Sequence, residues 1–346
     1  MTIFPDTTIL STCNTICWKQ KPFPKRANQQ HFVTIGTNKI SNRKQETGNM
    51  NILVTGCNGQ LGNALQLLQP SYANHTFYNT DIQQSADGVV NYSQLDITDD
   101  VAVESFVKEC RIDGIINCAA YTAVDKAQSD VELCTKLNST APHILACAAE
   151  RIGAWLIQVS TDYVFNGEHH VPYREDEKTC PNSVYGMTKL EGERRAMESC
   201  PHTMIIRTAW LYSEFGRNFV KTMISLGRTK DELGVIFDQI GSPTYATDLA
   251  TAIMAAVDKG VPSGIFHFSN EGAISWYDFT KAIHRIAGIT TCKVNPLHTY
   301  EYPTPAARPH YSVLDKTKIK NALGIKIPYW EDSLAICIQH ICADER

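Results

Sequence analysis

A doubly wound, parallel α/β sheet with a smaller C-terminal lobe is the fold that three features of this sequence predict. Short apolar runs alternate with helix-length amphipathic segments from Met50 to Arg207. A glycine-rich turn joins the first apolar run to the first helix, and beyond Arg207 the alternation loosens into loops punctuated by Pro and Gly. Parallel neighbours need a crossover, and the crossover is usually a helix, so this alternation implies parallel order.

The predicted strands are Ile52–Thr55, Thr76–Asp81, Gly114–Cys118, Ala154–Val159 and Thr203–Arg207. The predicted helices are Gln60–Leu68, Asp99–Cys110, Ser129–Arg151 and Ser183–Ser199, the first and last opening after turn residues. Later helices are expected over Thr247–Val257 and Ser275–Ile286, in a lobe over the carboxyl edge of the sheet, where ligands bind in this architecture. Residues 1–49 are polar and without sustained period, and they read as a disordered extension or an over-long start. The expected division is therefore 1–49 as extension, 50–207 as a dinucleotide-binding Rossmann-like domain that also carries the catalytic residues, and 208–346 as mainly a substrate-binding lobe, partly interleaved with it.

Composition narrows the function classes. With 43% hydrophobic and 20% charged residues in 346, the chain can bury a large core. A formal charge of −4 lacks the basic footprint of nucleic-acid binding. No apolar run reaches the roughly 20 residues that cross a bilayer, and the N-terminus lacks the basic start and apolar core of a signal peptide. A cytoplasmic protein with no membrane or nucleic-acid partner is the expectation. The twelve cysteines are scattered, with no C-x-x-C pair, so reduced thiols and no structural metal are expected. Cys337, His340 and Cys342 sit in an apolar helix-like stretch that suits packing better than ligation.

The turn Gly56-Cys57-Asn58-Gly59-Gln60-Leu61-Gly62 has G-x-x-G-x-x-G spacing. Glycines there let the backbone turn tightly and approach a pyrophosphate, whose charge then faces the amides of the helix that follows. Asp81 ends the next strand about 20 residues on, placed to accept from an adenosine ribose. Its carboxylate favours NADH over NADPH, because Ile82-Gln83-Gln84-Ser85 offers a 2′-phosphate only neutral groups. Asp96 and Ile97 suit an adenine, with a helix N-cap as the alternative role for Asp96. Asn117-Cys118-Ala119-Ala120-Tyr121-Thr122 ends a buried strand with small residues where a dinucleotide would pass.

Ser160, Thr161 and Asp162 end a later strand, and Tyr185 and Lys189 lie four apart early in the next helix. At that spacing the ammonium can stand near the phenol and lower its pKa, making Tyr185 a general acid. Thr161 can orient a carbonyl by its hydroxyl, completing a reduction centre. The order of parts, with dinucleotide loop, strand-end hydroxyl and then Tyr-x-x-x-Lys, carries more weight than any one of them.

The runs TGCNGQLG, INCAAYTAVDKAQ, STDYVFNG, PNSVYGMTKLEGE, RTAW, DQIGSPTYATDLA and RPHYSVLD resemble the dTDP-4-dehydrorhamnose reductase family of extended short-chain dehydrogenases, over nearly everything from Met50 onward. The resemblance implies NAD(P)H-dependent reduction of dTDP-4-dehydro-β-L-rhamnose at C4. It implies Thr161, Tyr185 and Lys189 as the triad, with Thr161, Asp162 and Trp210 on the substrate. Gly56, Gly59, Gln60, Leu61, Gly62, Asp81, Asp96, Ile97, Ala120, Tyr121 and Thr122, with Tyr185 and Lys189, fall to the cofactor. Independently, a flat indole at Trp210 suits a pyranose face. Asn138 resembles an asparagine that orders water and helix geometry in the wider superfamily, and a simple helix-backbone bond is the other reading. Some relatives pair through Mg²⁺ held by a glutamate soon after the glycine loop. Here Asn63 and Ala64 follow Gly62, which counts against a metal-bridged dimer; Glu191 and Glu193 remain as carboxylates that could hold Mg²⁺, solvated helix residues explain them equally well, and a homodimer stays open. A dehydratase or epimerase of the same fold, and a non-catalytic regulatory subunit like methionine adenosyltransferase beta, are the competing readings. The intact triad disfavours the latter, and Tyr163 after Asp162, where a dehydratase would place a glutamate, disfavours the former.

Overall fold

The first half of the chain lays down β1 (Asn51–Thr55), α1 (Gln60–Leu68), β2 (Thr76–Asp81), β3 (Tyr92–Gln94), α2 (Asp100–Glu109), β4 (Gly114–Asn117), α3 (Val131–Thr135), α4 (Ala141–Ile152), β5 (Trp155–Thr161), α5 (Val184–Ser199) and β6 (Thr203–Thr208). The second half adds β7 (Leu211–Tyr212), α6 (Phe219–Thr229), β8 (Glu232–Ile236), β9 (Ile240–Gly241), β10 (Thr244–Tyr245), α7 (Ala246–Asp258), β11 (Gly264–His267), β12 (Ile274–Ser275), α8 (Trp276–Ile286), β13 (Lys293–Leu297), α9 (Thr317–Leu323) and α10 (Trp330–Asp344). This computed structural model describes residues 48–84 and 88–344, so the expected extension lies, up to residue 47, outside the described residues. No helix among them is long and apolar enough to cross a membrane.

The central sheet has seven strands in the order β11-β6-β5-β4-β1-β2-β3, every neighbouring pair parallel. Its strands alternate strictly. Ile52, Val54, Ile116 and Ile206 face α1, α7 and α9 through Leu65, Ile253 and Ile319. Leu53, Ile115, Leu156 and Ile205 face α2, α4 and α5 through Val107, Leu145 and Ala196. Both faces are thus buried under helices, which is why these strands read as nearly continuous apolar runs. The strand order reverses between β1 and β4, and a crevice opens there at the carboxyl ends of the strands. The segment after residue 208 supplies α7 and β11 to the sheet, and the residues on either side of 207 belong to one compact unit. A further core, with Tyr212, Ile224, Phe279, Ile283 and Leu334, holds α6, α8 and α10 together.

One predicted helix is broken. Ser129–Arg151 resolves into α3, a π turn over Lys136–Thr140, and α4. Pro142 has no amide to give the carbonyl of Asn138, and the Ala141 amide reaches back five residues to the Lys136 carbonyl. Gly192 of α5 packs on the released Asn138 carbonyl, where an added Cβ would stand 2.0 Å from the oxygen. The Asn138 side chain accepts from the Tyr121 amide at 2.9 Å and donates to the Tyr121 carbonyl at 3.1 Å. The irregular turn therefore locks the loop after β4 to the helix layer. Elsewhere, β5 runs two residues beyond its predicted end, and β3 and β11, neither of them predicted, add one strand at each edge of the sheet.

Candidate active site

A cleft of about 1160 Å³ opens over the carboxyl ends of β1, β4 and β5, larger than the roughly 300–1,000 Å³ of a single small-ligand pocket. The glycine loop floors one end. Gly56 has φ +65°, and a Cβ there would stand 2.7 Å from the Ala119 amide nitrogen; a Cβ on Gly62 would stand 2.4 Å from the Gly56 oxygen. Helix α1 then begins at Gly59 with no side-chain cap and no acidic residue in its first turn. Its first amides are free to take an anionic phosphate, so the chain's own backbone fits the pyrophosphate of a nicotinamide dinucleotide. Asn63, standing after Gly62, donates to the carbonyls of Asn58 and Gly59, both at 2.9 Å, and braces the loop.

The predicted cofactor residues divide on inspection. Gly56, Gly59, Leu61, Gly62, Asp81, Asp96, Ile97, Ala120 and Thr122 line the cleft. The Asp81 carboxylate accepts from the Asn58 amide and the Gln83 amide, each at 3.2 Å. Asp96 is not the cap of α2, as Asp99 fills that position by accepting from the Ala102 amide. Instead Asp96 accepts from the Thr98 amide and hydroxyl; burial works to raise its carboxyl, the two Thr98 bonds outweigh it, and the net is a lowered pKa. Gln60 lines the cleft, but its side-chain oxygen accepts from Ser213 at 3.0 Å and Asn218 at 3.1 Å, tying the glycine loop to the loop before α6. Tyr121 faces away: its ring packs with Ala127 and Cys134 beneath Tyr185 and its hydroxyl donates to Asp130 at 3.2 Å. Tyr121 is not among the residues that line the cleft.

The reaction centre is assembled from the end of β5 and the first turns of α5. Ser183 caps α5 by accepting from the Gly186 amide at 3.1 Å. Gly186 lets this helix start approach the preceding loop, since a Cβ there would lie 2.3 Å from the Tyr163 oxygen. Thr161 accepts from the Tyr163 amide at 3.2 Å and donates to Asp162 Oδ1 at 2.9 Å. Thr161, Tyr185 and Lys189 all line the cleft. The expected electrostatics differ, however. Burial raises the Tyr185 phenol, opposed by a hydrogen bond from Thr161. The Lys189 ammonium turns to the Val159 carbonyl at 2.6 Å, and burial lowers its pKa to about 8, with Glu193 pulling the other way. The phenol is therefore protonated at neutral pH, as an unperturbed one would be, and the lowering expected from Lys189 is not found.

Beneath Lys189 lies a charge pair that the sequence reading missed. Glu193 is not a solvated helix residue: it and Arg207 are each 2% exposed and pair bidentately at 2.9 and 2.7 Å. Ser160 donates to the same carboxylate at 2.5 Å, and Arg207 stands over the ring of Phe165. Glu191, by contrast, is on the surface and pairs with Arg194.

The end of the cleft beyond this centre is aromatic and acidic. Trp210 adopts φ +48°, rare for a bulky residue, and its indole stacks on Trp276 at 3.5 Å between ring centroids. Gly241 makes room for it, since a Cβ there would meet Trp210 Cε2 at 2.6 Å. Asp162 is buried at the cleft, with Oδ2 making no hydrogen bond. Its pKa is raised to about 6 by burial, tempered by Thr161 and Ser312. Trp276, Arg217 and Arg308 also line the cleft; Arg308 opens the RPHYSVLD run but was given no site role, and Trp276 and Arg217 were not singled out. Cys337 is buried in the lobe core and His340 pairs with Glu214 at 3.1 Å.

Comparison with known proteins agrees with this geometry. The family model described as RmlD substrate binding domain matches residues 50–342. A dTDP-4-dehydrorhamnose reductase of Aggregatibacter actinomycetemcomitans is 39% identical over 293 residues, covering 82% of this chain and 96% of its own. The crystal structure of a dTDP-4-dehydrorhamnose reductase from Clostridium acetobutylicum superposes with TM-score 0.79 at 44% identity, covering 85% of this chain and 100% of that one. A Bacillus anthracis dTDP-4-dehydrorhamnose reductase, solved in complex with NADP, gives TM-score 0.78 at 37% identity, covering 84% of this chain and 99% of its own. In sequence and in fold, this chain belongs to the dTDP-4-dehydrorhamnose reductase family.

Proposed function

We propose that this chain reduces the C4 keto group of dTDP-4-dehydro-β-L-rhamnose to give dTDP-L-rhamnose, with NADH or NADPH as the reductant. The observation that carries the reading is the convergence of Thr161, Tyr185 and Lys189 on one cleft with an uncapped glycine-loop helix. The substrate follows from the names of relatives that match nearly their whole length.

The bound nicotinamide supplies the hydride. Thr161 orients the keto oxygen through its hydroxyl, and Tyr185, protonated at neutral pH, delivers the proton to that oxygen. Lys189 stands one helical turn behind and compensates the phenolate that remains, which is worth most where water is excluded. Asp162, which lines the cleft, accepts from a sugar hydroxyl, and the Trp210 indole offers a face to the pyranose. In this reading residues 50–207 hold mainly the dinucleotide, the later segment holds mainly the sugar nucleotide, and the enzyme works in the cytoplasm.

The test is oxidation of NADH or NADPH by the purified protein against a panel of dTDP- and GDP-linked 4-keto sugars. Stoichiometric loss of absorbance at the reduced nicotinamide band with the dTDP-linked 4-keto-6-deoxysugar is expected. A product formed without net oxidation would point to an epimerase, and no turnover with any sugar would point to a regulatory subunit.

A further inference from the structure

Among the charged groups lining the cleft, Arg308 has no part in the chemistry above. Its two terminal nitrogens donate to Asp125, at 2.9 Å to Oδ1 and 2.8 Å to Oδ2. The same guanidinium reaches the Thr304 hydroxyl at 3.3 Å and the Ala306 carbonyl at 3.2 Å, and the Ala306 amide donates to Asp125 at 3.2 Å. One carboxylate in the loop after β4 therefore pins a turn that lies 183 residues further along the chain. The Arg308 bonds hold the Asp125 carboxyl below its usual range against the opposing effect of burial.

The location gives the pair its meaning. Tyr163 and Arg308 line the same cleft, and the Tyr163 ring meets the Tyr185 ring edge-on at 5.5 Å between centroids. Asp125 belongs to the cofactor half and Arg308 to the later segment, so the pair joins the two sides of the cleft at its reaction end. With side chains 26% and 40% exposed, the pair is partly screened by solvent, which moderates its Coulomb energy. Its bidentate geometry suits orientation, since a planar fork fixes two segments in register.

We infer that Asp125 and Arg308 form a latch that positions the 304–308 turn and Tyr163 around the sugar end of the nucleotide sugar, and so sets affinity for that ligand without touching the cofactor end. The inference deepens the function proposed above and rests on it. Asp125 and Arg308 are positioning residues, acting through the wall they hold in place.

Asp125→Asn keeps the shape and removes the charge, while Arg308→Lys keeps the charge and removes the fork. The test titrates dTDP-L-rhamnose and NADH into wild type, each variant and the double variant by calorimetry, with melting temperature and steady-state kinetics alongside. The expected result is about tenfold or more weaker binding of dTDP-L-rhamnose in each single variant, within the roughly hundredfold that a 1 Å misplacement can cost. NADH affinity and melting temperature should stay near wild type, and the double variant should be no worse than either single one. In turnover the loss should fall on KM rather than kcat. If Asp125→Asn does not fold, Arg308→Lys carries the same test. Sugar-nucleotide affinity near wild type, an equal fall in NADH affinity, or additive losses in the double variant would each overturn the latch. Wild type that binds dTDP-L-rhamnose but does not turn over would count against the proposed reaction and not the latch; wild type that fails to bind it would overturn both.

Discussion

Lys189 donates to the main-chain oxygen of Val159 at 2.6 Å, one helical turn from the carboxylate of Glu193, so the ammonium of the reaction centre is tied to the end of β5. The carbonyl anchors the ammonium while burial works against its charge, so Lys189 titrates at about 8. Asp162, buried across the site, titrates at about 6. Lys189 is needed charged and Asp162 ionised, so kcat/KM should rise as pH passes about 6 and fall as it passes about 8. Asp162→Asn should remove the acid limb and Lys189→Met the alkaline one, whatever rate remains. The stability signs are also fixed by linkage. Asp162, raised from 3.8, holds its proton longer folded than unfolded, so its contribution falls as pH rises from about 4 to about 6. Lys189, lowered from 10.5, regains stability as pH rises from about 8 toward 10.5. A flat profile between pH 5 and 9 would contradict both assignments.

Tyr185→Phe deletes the proton donor and keeps the ring that packs on Tyr163. Proton donation of this kind is worth about 10²–10⁴ in rate, so turnover should drop by that factor while NADH still binds. A variant keeping more than about a tenth of wild-type activity would remove Tyr185 from the role of acid.

The buried pair under Lys189 makes a separate prediction about stability. Glu193→Gln leaves the Arg207 guanidinium uncompensated in a site that is 2% exposed, and breaking a buried ion pair on one side costs about 3–5 kcal/mol. Urea denaturation should show a loss of that order. Because Glu193 favours the charged form of Lys189, the alkaline limb of the activity profile should also move to lower pH. Replacing Glu193 and Arg207 together by Met should cost less than Glu193→Gln alone, and a larger loss in the double variant would mean the pair stabilises the fold outright.

What could be read in advance was what the chain writes locally. The glycine loop, Asp81 at a strand end and the Tyr185 to Lys189 spacing each lie within one strand–turn–helix unit, where spacing alone dictates which groups meet. The buried faces of the sheet were equally legible, since alternation along Ile52-Leu53-Val54 maps directly onto the two helix layers. The pairings of Glu193 with Arg207 and of Asp125 with Arg308 were not legible, because the partners lie 14 and 183 residues apart and only the fold brings them together. The break at Asn138 was hidden for the same reason: Pro142 was visible, but the Tyr121 backbone and Gly192 that stabilise the irregular turn come from other elements. The orientation of Lys189 was misjudged because helical spacing specifies a face and not which acceptor on that face wins.

Gly241 is predicted to matter only through Trp210. A Cβ at this position would stand 2.6 Å from Trp210 Cε2 and 2.8 Å from Ser312 Oγ, so Gly241→Ala must displace the indole or the β9 backbone. Trp210 is already held at positive φ and sandwiched against Trp276, which leaves it little freedom to adjust. A shift near 1 Å can cost about 100-fold in rate, so kcat/KM for the sugar nucleotide should fall by roughly 10- to 100-fold while NADH affinity holds. An unchanged kcat/KM would show that the indole does not meet the substrate.

The choice between NADH and NADPH turns on Asp81. Its carboxylate is tethered at 3.2 Å by the Asn58 amide of the glycine loop and at 3.2 Å by the Gln83 amide, so swinging outward to admit a phosphate would forfeit both bonds. The neighbouring Ile82 and Gln83 bring no positive charge to the spot. A 2′-phosphate about 4 Å from this carboxylate, at an effective dielectric near 20, would cost on the order of 4 kcal/mol before salt and side-chain movement relieve it. A free 2′-hydroxyl would instead donate to the same oxygen atoms. NADH should therefore serve at least as efficiently as NADPH, even though a relative has been solved with NADP bound. Asp81→Ala removes the repulsion and the ribose acceptor together, and should shift the ratio of kcat/KM toward NADPH. The measurement is initial-rate kinetics with both cofactors on wild type and variant at one ionic strength, because screening would blunt the contrast at high salt. A wild type that prefers NADPH by more than about tenfold, or a ratio that Asp81→Ala leaves untouched, would show that Asp81 does not govern the choice.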